Sequence, residues 1–121
     1  MAKKNRKTNP QLNSLINELK KVSKEKEAPI WKDIAKRLEK PLRHWAEVNL
    51  DKIEKHVGEK ETALIPGKVL STGNLNKKIT IAAWSFSDKS IEKIKKSGGK
   101  TITIKELLEK NPEGKNIRIM G

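Results

Sequence analysis

Ile79-Thr80-Ile81-Ala82-Ala83-Trp84 is the stretch of this chain that most clearly predicts a β-strand, and the other elements can be placed outward from it. Side chains alternate between the two faces of a strand, so its apolar residues divide into two sets. One set comprises Ile79, Ile81 and Ala83, and the other comprises Ala82, Trp84 and Phe86. Apolar residues on both faces are typical of a strand that the rest of the protein covers on both sides.

Short strands and helices alternate around this stretch in the second half of the chain. Ser87 can cap a helix that ends at Gly98-Gly99. Thr103 and Glu106 have the spacing of a capping box at the start of another helix. A short strand is predicted at 62–65, ended by Pro66-Gly67, and residues 68–70 can continue it. Two further short strands are predicted at 101–104 and 116–120.

The first half of the chain has the spacing of helices. Asn9-Pro10 combines a good N-cap with a residue that suits the first helical position. Apolar residues then recur at helical spacing as far as Val22. A second helix runs from Pro29 to about residue 39, and Pro41 ends it. Residues 40–46 form a connection, and a third short helix covers about 49–57.

This order of elements, with helices first and then strands alternating with helices, predicts an α/β fold. A chain of 121 residues is expected to form one compact domain. Within it we distinguish a helical N-terminal region at 9–57 and a small core of short strands and helices at 58–121. Residues 1–8 are expected to form a basic, disordered arm that orders on nucleic acid, and a frayed terminus is the alternative.

Positive charge is the dominant feature of the composition. The chain has 28 Lys and Arg against 15 Asp and Glu, a net charge of +13. Residues 1–57 carry 15 basic and 8 acidic residues, and residues 58–121 carry 13 and 7, so the excess is not confined to a tail. Such an excess repels itself unless a polyanion such as nucleic acid neutralises it. A very soluble, Lys-rich protein without such a partner is the alternative.

The sequence lacks the residue patterns of catalysis or of a bound cofactor. There is no Cys and there are only two His residues, so a zinc site of the usual spacing is excluded. No glycine-rich phosphate loop is present, and the carboxylates are scattered among lysines. No run of about 20 apolar residues predicts a membrane span. We therefore expect a cytoplasmic protein that is not an enzyme and has no metal, cofactor, small-molecule substrate or membrane partner.

The connection after Pro41 carries the clearest candidates for contacts with RNA. Residues of such connections are held out by the scaffold and are free to bind a partner. Arg43, beside His44, can bind a phosphate, and Trp45 can either stack on an unpaired base or pack against the third helix. Basic residues are mostly Lys, which favours contacts with phosphates over recognition of bases.

Two other regions add candidates for RNA binding. The loop at 71–78 places Lys77 and Lys78 beside Gly73, whose missing side chain would let another backbone approach, and an ordinary solvated turn is the alternative. Lys68 is a further candidate. The candidates in and next to the basic arm are Lys3, Lys4, Arg6, Lys7, Thr8 and Asn9.

Several motifs together resemble one known family over nearly the whole chain. They are Lys7–Pro10, Ala28–Ala35, Ala46–Asn49, Ile65–Leu70, Gly73–Leu75, Gly98-Gly99, Asn111–Gly114 and Arg118-Ile119. The family is the archaeal large-subunit ribosomal protein family eighteen-e, which is related to bacterial large-subunit ribosomal protein fifteen. The order and spacing of the motifs carry this resemblance, rather than any one of them.

The resemblance implies a structural constituent of the large ribosomal subunit that has no enzymatic activity. It implies binding to ribosomal RNA and to neighbouring ribosomal proteins as a monomer, and an irregular superhelix of ββα-type units. The family is usually richer in Arg after Pro41, whereas this chain has Leu42 and Trp45 there, so Arg43 is the position that carries over. The alternative function is general nucleic-acid binding, as in a chromatin-like protein.

Deleting residues 1–8 tests the role assigned to the arm. We expect weaker binding to ribosomal RNA, with a log–log salt slope lower by roughly 0.7–0.9 for each phosphate that the arm neutralises in the intact chain. The thermal midpoint should stay almost unchanged, because a terminal arm outside the core adds little to stability. Binding isotherms at several salt concentrations and thermal unfolding followed by circular dichroism measure both quantities. A large fall in the midpoint would show that the arm belongs to the core.

Overall fold

Two helices open the fold in the computed structural model, which describes residues 10–120 apart from the side chain of Leu42. Helix α1 spans Pro10–Lys26 and helix α2 spans Pro29–Glu39. Glu27 joins them with a φ of 52°, the left-handed conformation in which many helices end. Both helices were predicted from their apolar spacing and are confirmed. Asn9, the predicted N-cap, lies outside the described residues.

A five-stranded sheet follows the two helices. Its strands are β1 (Ala46–Asn49), β2 (Thr62–Leu70), β3 (Thr80–Phe86), β4 (Lys100–Thr103) and β5 (Ile117–Ile119). The helices between them are α3 (Leu50–His56), α4 (Asp88–Lys96) and α5 (Ile104–Lys110). The strand order is β1-β2-β3-β4, β5 also pairs with β2, and every pair is parallel. The predicted α/β fold class is confirmed.

The sheet separates two hydrophobic cores. Helices α1, α2 and α5 cover one face, where the fully buried Trp31 belongs to the same core as Leu64 and Ala82 of the sheet. Helices α3 and α4 cover the other face, where Ile53 shares a core with Ile81. Strand β3 contributes residues to both cores, which confirms that it is covered on both sides.

The sequence prediction was wrong for residues 46–49. Residue 46 was assigned to a connection, residue 49 to the start of a helix, and 47 and 48 to no element. All four form β1 and pair with Gly67–Leu70 of β2. The local signal is weak because the strand has four residues, of which only Val48 is buried. Pairing with β2, a long-range contact, makes this segment a strand.

Strand β2 also differs from its prediction. Pro66-Gly67 was expected to end a strand at 62–65, with residues 68–70 as a continuation. Both segments are strand, but β2 runs through Pro66 and Gly67 without a break. The register against β3 shifts between Ile65 and Lys68, so an irregularity in the strand accommodates a proline that has no N–H to donate. Such irregularities are the places in a sheet where proline is tolerated.

Two helix starts agree with the capping signals in the sequence. The side chain of Ser87 accepts a hydrogen bond from the Ser90 N–H at 3.3 Å. The Thr103 hydroxyl accepts from the Glu106 N–H at 3.0 Å, and the Glu106 carboxylate accepts from the Thr103 N–H at 2.8 Å. The predicted capping box is therefore confirmed, because the N–H groups of Thr103 and Glu106 each donate to the other residue's side chain.

Gly67 determines how closely β1 approaches β2. It is paired with Ala46, and a Cβ atom placed on Gly67 would overlap the carbonyl oxygen of Ala46. Backbone atoms of a paired strand cannot move aside without breaking hydrogen bonds of the sheet. A side chain at this position would therefore displace β1 together with the residues that lead into it.

Replacing Gly67→Ala should lower the free energy of unfolding by about 1–3 kcal/mol, because the added methyl overpacks the contact with Ala46. The matched control is Gly58→Ala, since a Cβ there meets nothing closer than Glu61 Oε1 at 3.5 Å. The control should change stability by less than about 0.5 kcal/mol. Denaturant titrations of both variants measure the difference. Equal effects of the two substitutions would contradict the close approach at Gly67.

Candidate nucleic-acid interface

A short turn between α2 and β1 presents Arg43 and His44 to solvent. After Pro41 the chain forms one turn of 3-10 helix at Leu42–His44, and the His44 N–H donates to the Pro41 carbonyl at 2.8 Å. Both Arg43 and His44 are exposed, and Arg43 takes part in no salt bridge within residues 10–120. We call residues 41–45 the Arg43 turn.

Trp45 anchors this turn to the body of the protein. Its indole Nε1–H donates to the Lys40 carbonyl at 2.9 Å. Its ring meets that of Trp84 edge to face, with centroids 5.9 Å apart and planes at 86°. Trp45 is half-buried and packs against the first core. This geometry favours the packing interpretation of Trp45, although the partner is Trp84 of β3 and not the third helix.

A small basic cleft lies beside the turn, with a volume of about 110 Å³. It is lined by Arg37, Lys40, His44, Trp45, Ala46 and Pro66. The lining contains cationic side chains and no acidic one, which suits the oxygen of a phosphate. At its edge Arg37 Nε lies 3.3 Å from Asp33 Oδ1, so part of the Arg37 charge is already paired. Sequence reasoning missed Arg37 and Lys40, because helical spacing does not show that the end of α2 meets β1.

Lys68 lies on the same face of the sheet as the Arg43 turn. It is exposed, and the register places it between Glu47 of β1 and Ser85 of β3. Its neighbour Val69 belongs to the second core, so Lys68 points to the opposite face, which α1 and α2 cover in part. Lys68 forms no salt bridge in the described part of the chain. The structure therefore leaves its charge available for a partner.

The loop at 71–78 runs along α3 and is fixed to its start. The Asp51 N–H donates to the Thr72 carbonyl at 3.1 Å, and the Thr72 N–H donates to Asn49 Oδ1 at 3.2 Å. Gly73 has a φ of 94°, and a Cβ atom there would overlap Asp51. The missing side chain of Gly73 thus makes room for α3 of the same chain.

Lys77 and Lys78 have different environments. The ammonium group of Lys77 donates to the carbonyls of Glu54 and Val57 at 2.9 and 3.3 Å. These carbonyls belong to the C-terminal end of α3, where a cation is favoured by the helix dipole. The geometry therefore gives Lys77 a structural role, whereas the side chain of Lys78 is exposed.

Lys93 is a structural cation that sequence reasoning missed. Its ammonium group donates to the carbonyls of Ser71 and Gly73 at 2.8 and 2.9 Å, so it fixes the same loop from α4. Nothing in the local sequence distinguishes Lys93 from the other lysines of α4.

Arg118 of β5 is exposed like Arg43, but it is paired with Glu61. Its Nε lies 3.3 Å from each oxygen of Glu61, and the Gly58 N–H donates to Glu61 Oε1 at 2.9 Å. The hydrogen bond from Gly58 and the nearby guanidinium of Arg118 lower the pKa of Glu61 below its usual range. Glu61 therefore stays charged at neutral pH and offsets the charge of Arg118.

The candidates of the basic arm cannot be placed by this structure. The residues concerned, which lie outside the described part of the chain, are Lys3, Lys4, Arg6, Lys7, Thr8 and Asn9.

Within residues 10–120, no group of three or more His, Cys, Asp or Glu side chains is placed to bind a metal ion. None of the helices in that part of the chain is long and apolar enough to cross a membrane.

Comparisons with known proteins point to one family. A family model described as "Ribosomal protein 60S L18 and 50S L18e" matches residues 1–121. The chain belongs to this family. The resemblance that the sequence motifs indicated is therefore confirmed, and membership of a ribosomal protein family agrees with the expectation of a structural, non-enzymatic protein.

Archaeal relatives of the L18e family match the chain over nearly its full length. Large ribosomal subunit protein eL18 of Methanothermobacter thermautotrophicus is 48% identical over 120 residues, which cover 99% of either chain. The protein of the same name from Archaeoglobus fulgidus is 48% identical over 115 residues, 95% of this chain and 98% of its own. That of Halobacterium salinarum is 45% identical over 114 residues, 94% and 97% of the two chains.

Neutralising Lys77 and Lys78 separately should distinguish their roles in this L18e family member. Lys77→Met removes two hydrogen bonds from a charged group and should lower the free energy of unfolding by about 1–2 kcal/mol. Lys78→Met should change it by less than about 0.5 kcal/mol, because this side chain is exposed. Denaturant titration of the two variants tests this difference. Equal stability of both variants would remove the structural role of Lys77.

Proposed function

We propose that this chain is a structural constituent of the large ribosomal subunit and that it binds ribosomal RNA mainly through phosphates. The observation that carries the proposal is the match of a ribosomal protein family to the whole chain. The relatives named above are large ribosomal subunit proteins of almost the same length. A net charge of +13 suits a protein that is surrounded by RNA phosphates, because its cations neutralise them.

The Arg43 turn is the contact that the geometry favours most. Its two exposed basic side chains stand on a turn that Trp45 holds against the sheet, and the cleft beside them adds Lys40. A turn whose backbone is held in place loses less conformational freedom on binding than a mobile loop does. Arg43 therefore binds a phosphate, His44 and Lys40 support the same contact, and Lys68 reaches an adjacent phosphate on the same face.

Shape complements charge in this mode of binding. A folded RNA is recognised largely through its backbone and surface, and such contacts position the protein without reading a base sequence. The sheet with its two helix layers supplies a fixed surface, and the basic arm supplies additional cations. This role requires no acid or base catalyst. Neighbouring ribosomal proteins and the ribosome itself complete the set of proposed partners.

Co-sedimentation with large ribosomal subunits tests the proposed function. The purified chain should migrate with large subunits in a sucrose gradient and stay bound through a moderate salt wash. Competition between large-subunit ribosomal RNA and random-sequence duplex DNA tests the alternative of general nucleic-acid binding. Preference for the ribosomal RNA supports the proposal. Equal binding to both nucleic acids, or migration of the chain free of subunits, would overturn it.

Replacing Arg43→Gln should weaken binding to large-subunit ribosomal RNA by about tenfold, the effect of removing one charge-assisted hydrogen bond of roughly 1.4 kcal/mol. The log–log salt slope should also fall by about 0.7–0.9, because the variant neutralises one phosphate fewer. The control is Arg118→Gln, which removes the same charge from a residue that is already paired with Glu61. Filter-binding isotherms at several salt concentrations measure both quantities. An Arg43 variant that behaves like the control would refute this contact.

A further inference from the structure

Four exposed lysines surround the turn that joins α4 to β4. Residues 93–100 contain four lysines and no acidic residue, and three of these lysines are exposed. Lys78, which leads into β3, lies beside the turn, because its side-chain carbons are 3.1–3.5 Å from the place that a Cβ of Gly98 would occupy. The four exposed lysines, which we call the Gly98 cluster, are Lys78, Lys95, Lys96 and Lys100.

Backbone hydrogen bonds hold this turn in one conformation. The N–H groups of Gly98 and Gly99 donate to the carbonyls of Lys95 and Ile94, each at 3.0 Å. The Lys100 N–H donates to the Ile79 carbonyl at 3.1 Å. Gly98 adopts a φ of 86°, in the region that glycine enters without strain. The cluster therefore presents its charges from a fixed scaffold.

Interactions among residues 10–120 do not account for the cluster. None of its four lysines forms a salt bridge with another described residue. The dipole of α4 favours cations in its last turn, but Lys78 and Lys100 lie outside any helix. Glu59 accepts from the Lys78 backbone N–H at 3.4 Å, and Glu92 lies one turn before Lys95 and Lys96 on α4. Two acids leave this surface with a net positive charge.

The cluster and the Arg43 turn lie at opposite edges of the sheet. The Arg43 turn leads into β1, the Gly98 turn leads into β4, and two strands separate them. The register places the starts of β1 and β4 five residues apart along β2, between Thr62 and Gly67. Three strand spacings and this offset give a separation of roughly 20 Å. That is more than twice the screening length of about 8 Å at physiological ionic strength.

The two surfaces also belong to different layers of the fold. Trp45 of the Arg43 turn packs against the core that α1, α2 and α5 cover. Ile79 and Ile94, which flank the Gly98 turn, belong to the core that α3 and α4 cover. The two turns therefore border different cores of the fold.

We propose that the Gly98 cluster is a second RNA-binding surface, so that one molecule holds two separate segments of ribosomal RNA, one at each edge of its sheet. This proposal rests on the proposed function and deepens it. Exposed Lys side chains suit phosphates, since a protein interface is usually depleted in Lys and enriched in aromatic residues. The partner is therefore the RNA backbone, and a neighbouring protein is an outcome that the test must exclude.

Replacing all four lysines of the cluster by Gln tests the second surface. The probe is large-subunit ribosomal RNA transcribed in vitro, bound at several salt concentrations. We expect the log–log salt slope to fall by about 3, at roughly 0.7–0.9 for each phosphate, and the affinity to fall about tenfold or more. The matched control removes the same charge at four exposed lysines of α1 and α2 that lie near acidic residues, namely Lys21, Lys24, Lys26 and Lys32.

The outcomes separate this inference from the proposed function. A much larger effect of the cluster variant than of the control supports the second surface, provided that circular dichroism shows both variants folded. Equal effects would overturn it, because net charge alone would then explain the binding. A cluster variant that binds RNA normally but no longer joins large subunits would identify a protein partner and would also overturn it. Failure of the unmodified chain to bind ribosomal RNA would instead refute the proposed function.

Directed cleavage tests whether the two surfaces meet separate RNA segments. The chain has no Cys, so Arg43→Cys and Lys96→Cys each create one attachment point for an iron chelate that generates hydroxyl radicals. In complexes with ribosomal RNA the two positions should cleave different, non-overlapping segments. The unmodified chain, treated in the same way, is the control and should give no cleavage. Cleavage of one shared segment from both positions would overturn the two-segment arrangement.

Discussion

Parallel pairing of β2 with β3 is the constraint on which the rest of this molecule depends. Parallel neighbours need crossover connections, and both of their faces need cover. Helices α1, α2 and α5 supply the cover on one face, and α3 and α4 supply it on the other. Strand β1 joins the far edge of β2 only because Gly67 leaves room for Ala46. The position of the Arg43 turn follows from this contact, since the turn leads directly into β1.

The positive charge of the chain serves two physical purposes. Lys77 and Lys93 direct their ammonium groups to backbone carbonyls around the loop at 71–78, where they replace hydrogen bonds to water. Other cations, such as Lys20 and Arg118, are paired with carboxylates. Exposed cations such as Arg43 and Lys68 have no such partner among residues 10–120. The net charge is therefore larger than the number of cations that are available to phosphates. The fold determines which cations remain exposed and unpaired among the described residues.

The two RNA-binding surfaces that we propose lie at opposite edges of a rigid sheet. A protein that binds RNA at both edges would fix the distance between the bound segments, because packed cores deform little. Phosphate contacts give such a protein affinity, whereas the spacing of its surfaces determines which folded RNA it fits. The scarcity of arginine agrees with recognition by shape. The edge-to-face contact between the half-buried Trp45 and Trp84 also favours a packing role for these two rings.

The amino-acid sequence by itself determined the α/β class, the helices α1 and α2, the capping box at Thr103 and the family, because these depend on local spacing and on motif order. It also indicated Arg43 as a solvent-facing residue of a connection. Only the tertiary structure made residues 46–49 a strand, since long-range pairing with β2 supplies what four residues cannot encode locally. The same holds for the lysines: Lys77 and Lys78 are adjacent and chemically identical, and only the position of α3 turns one inward and leaves the other exposed.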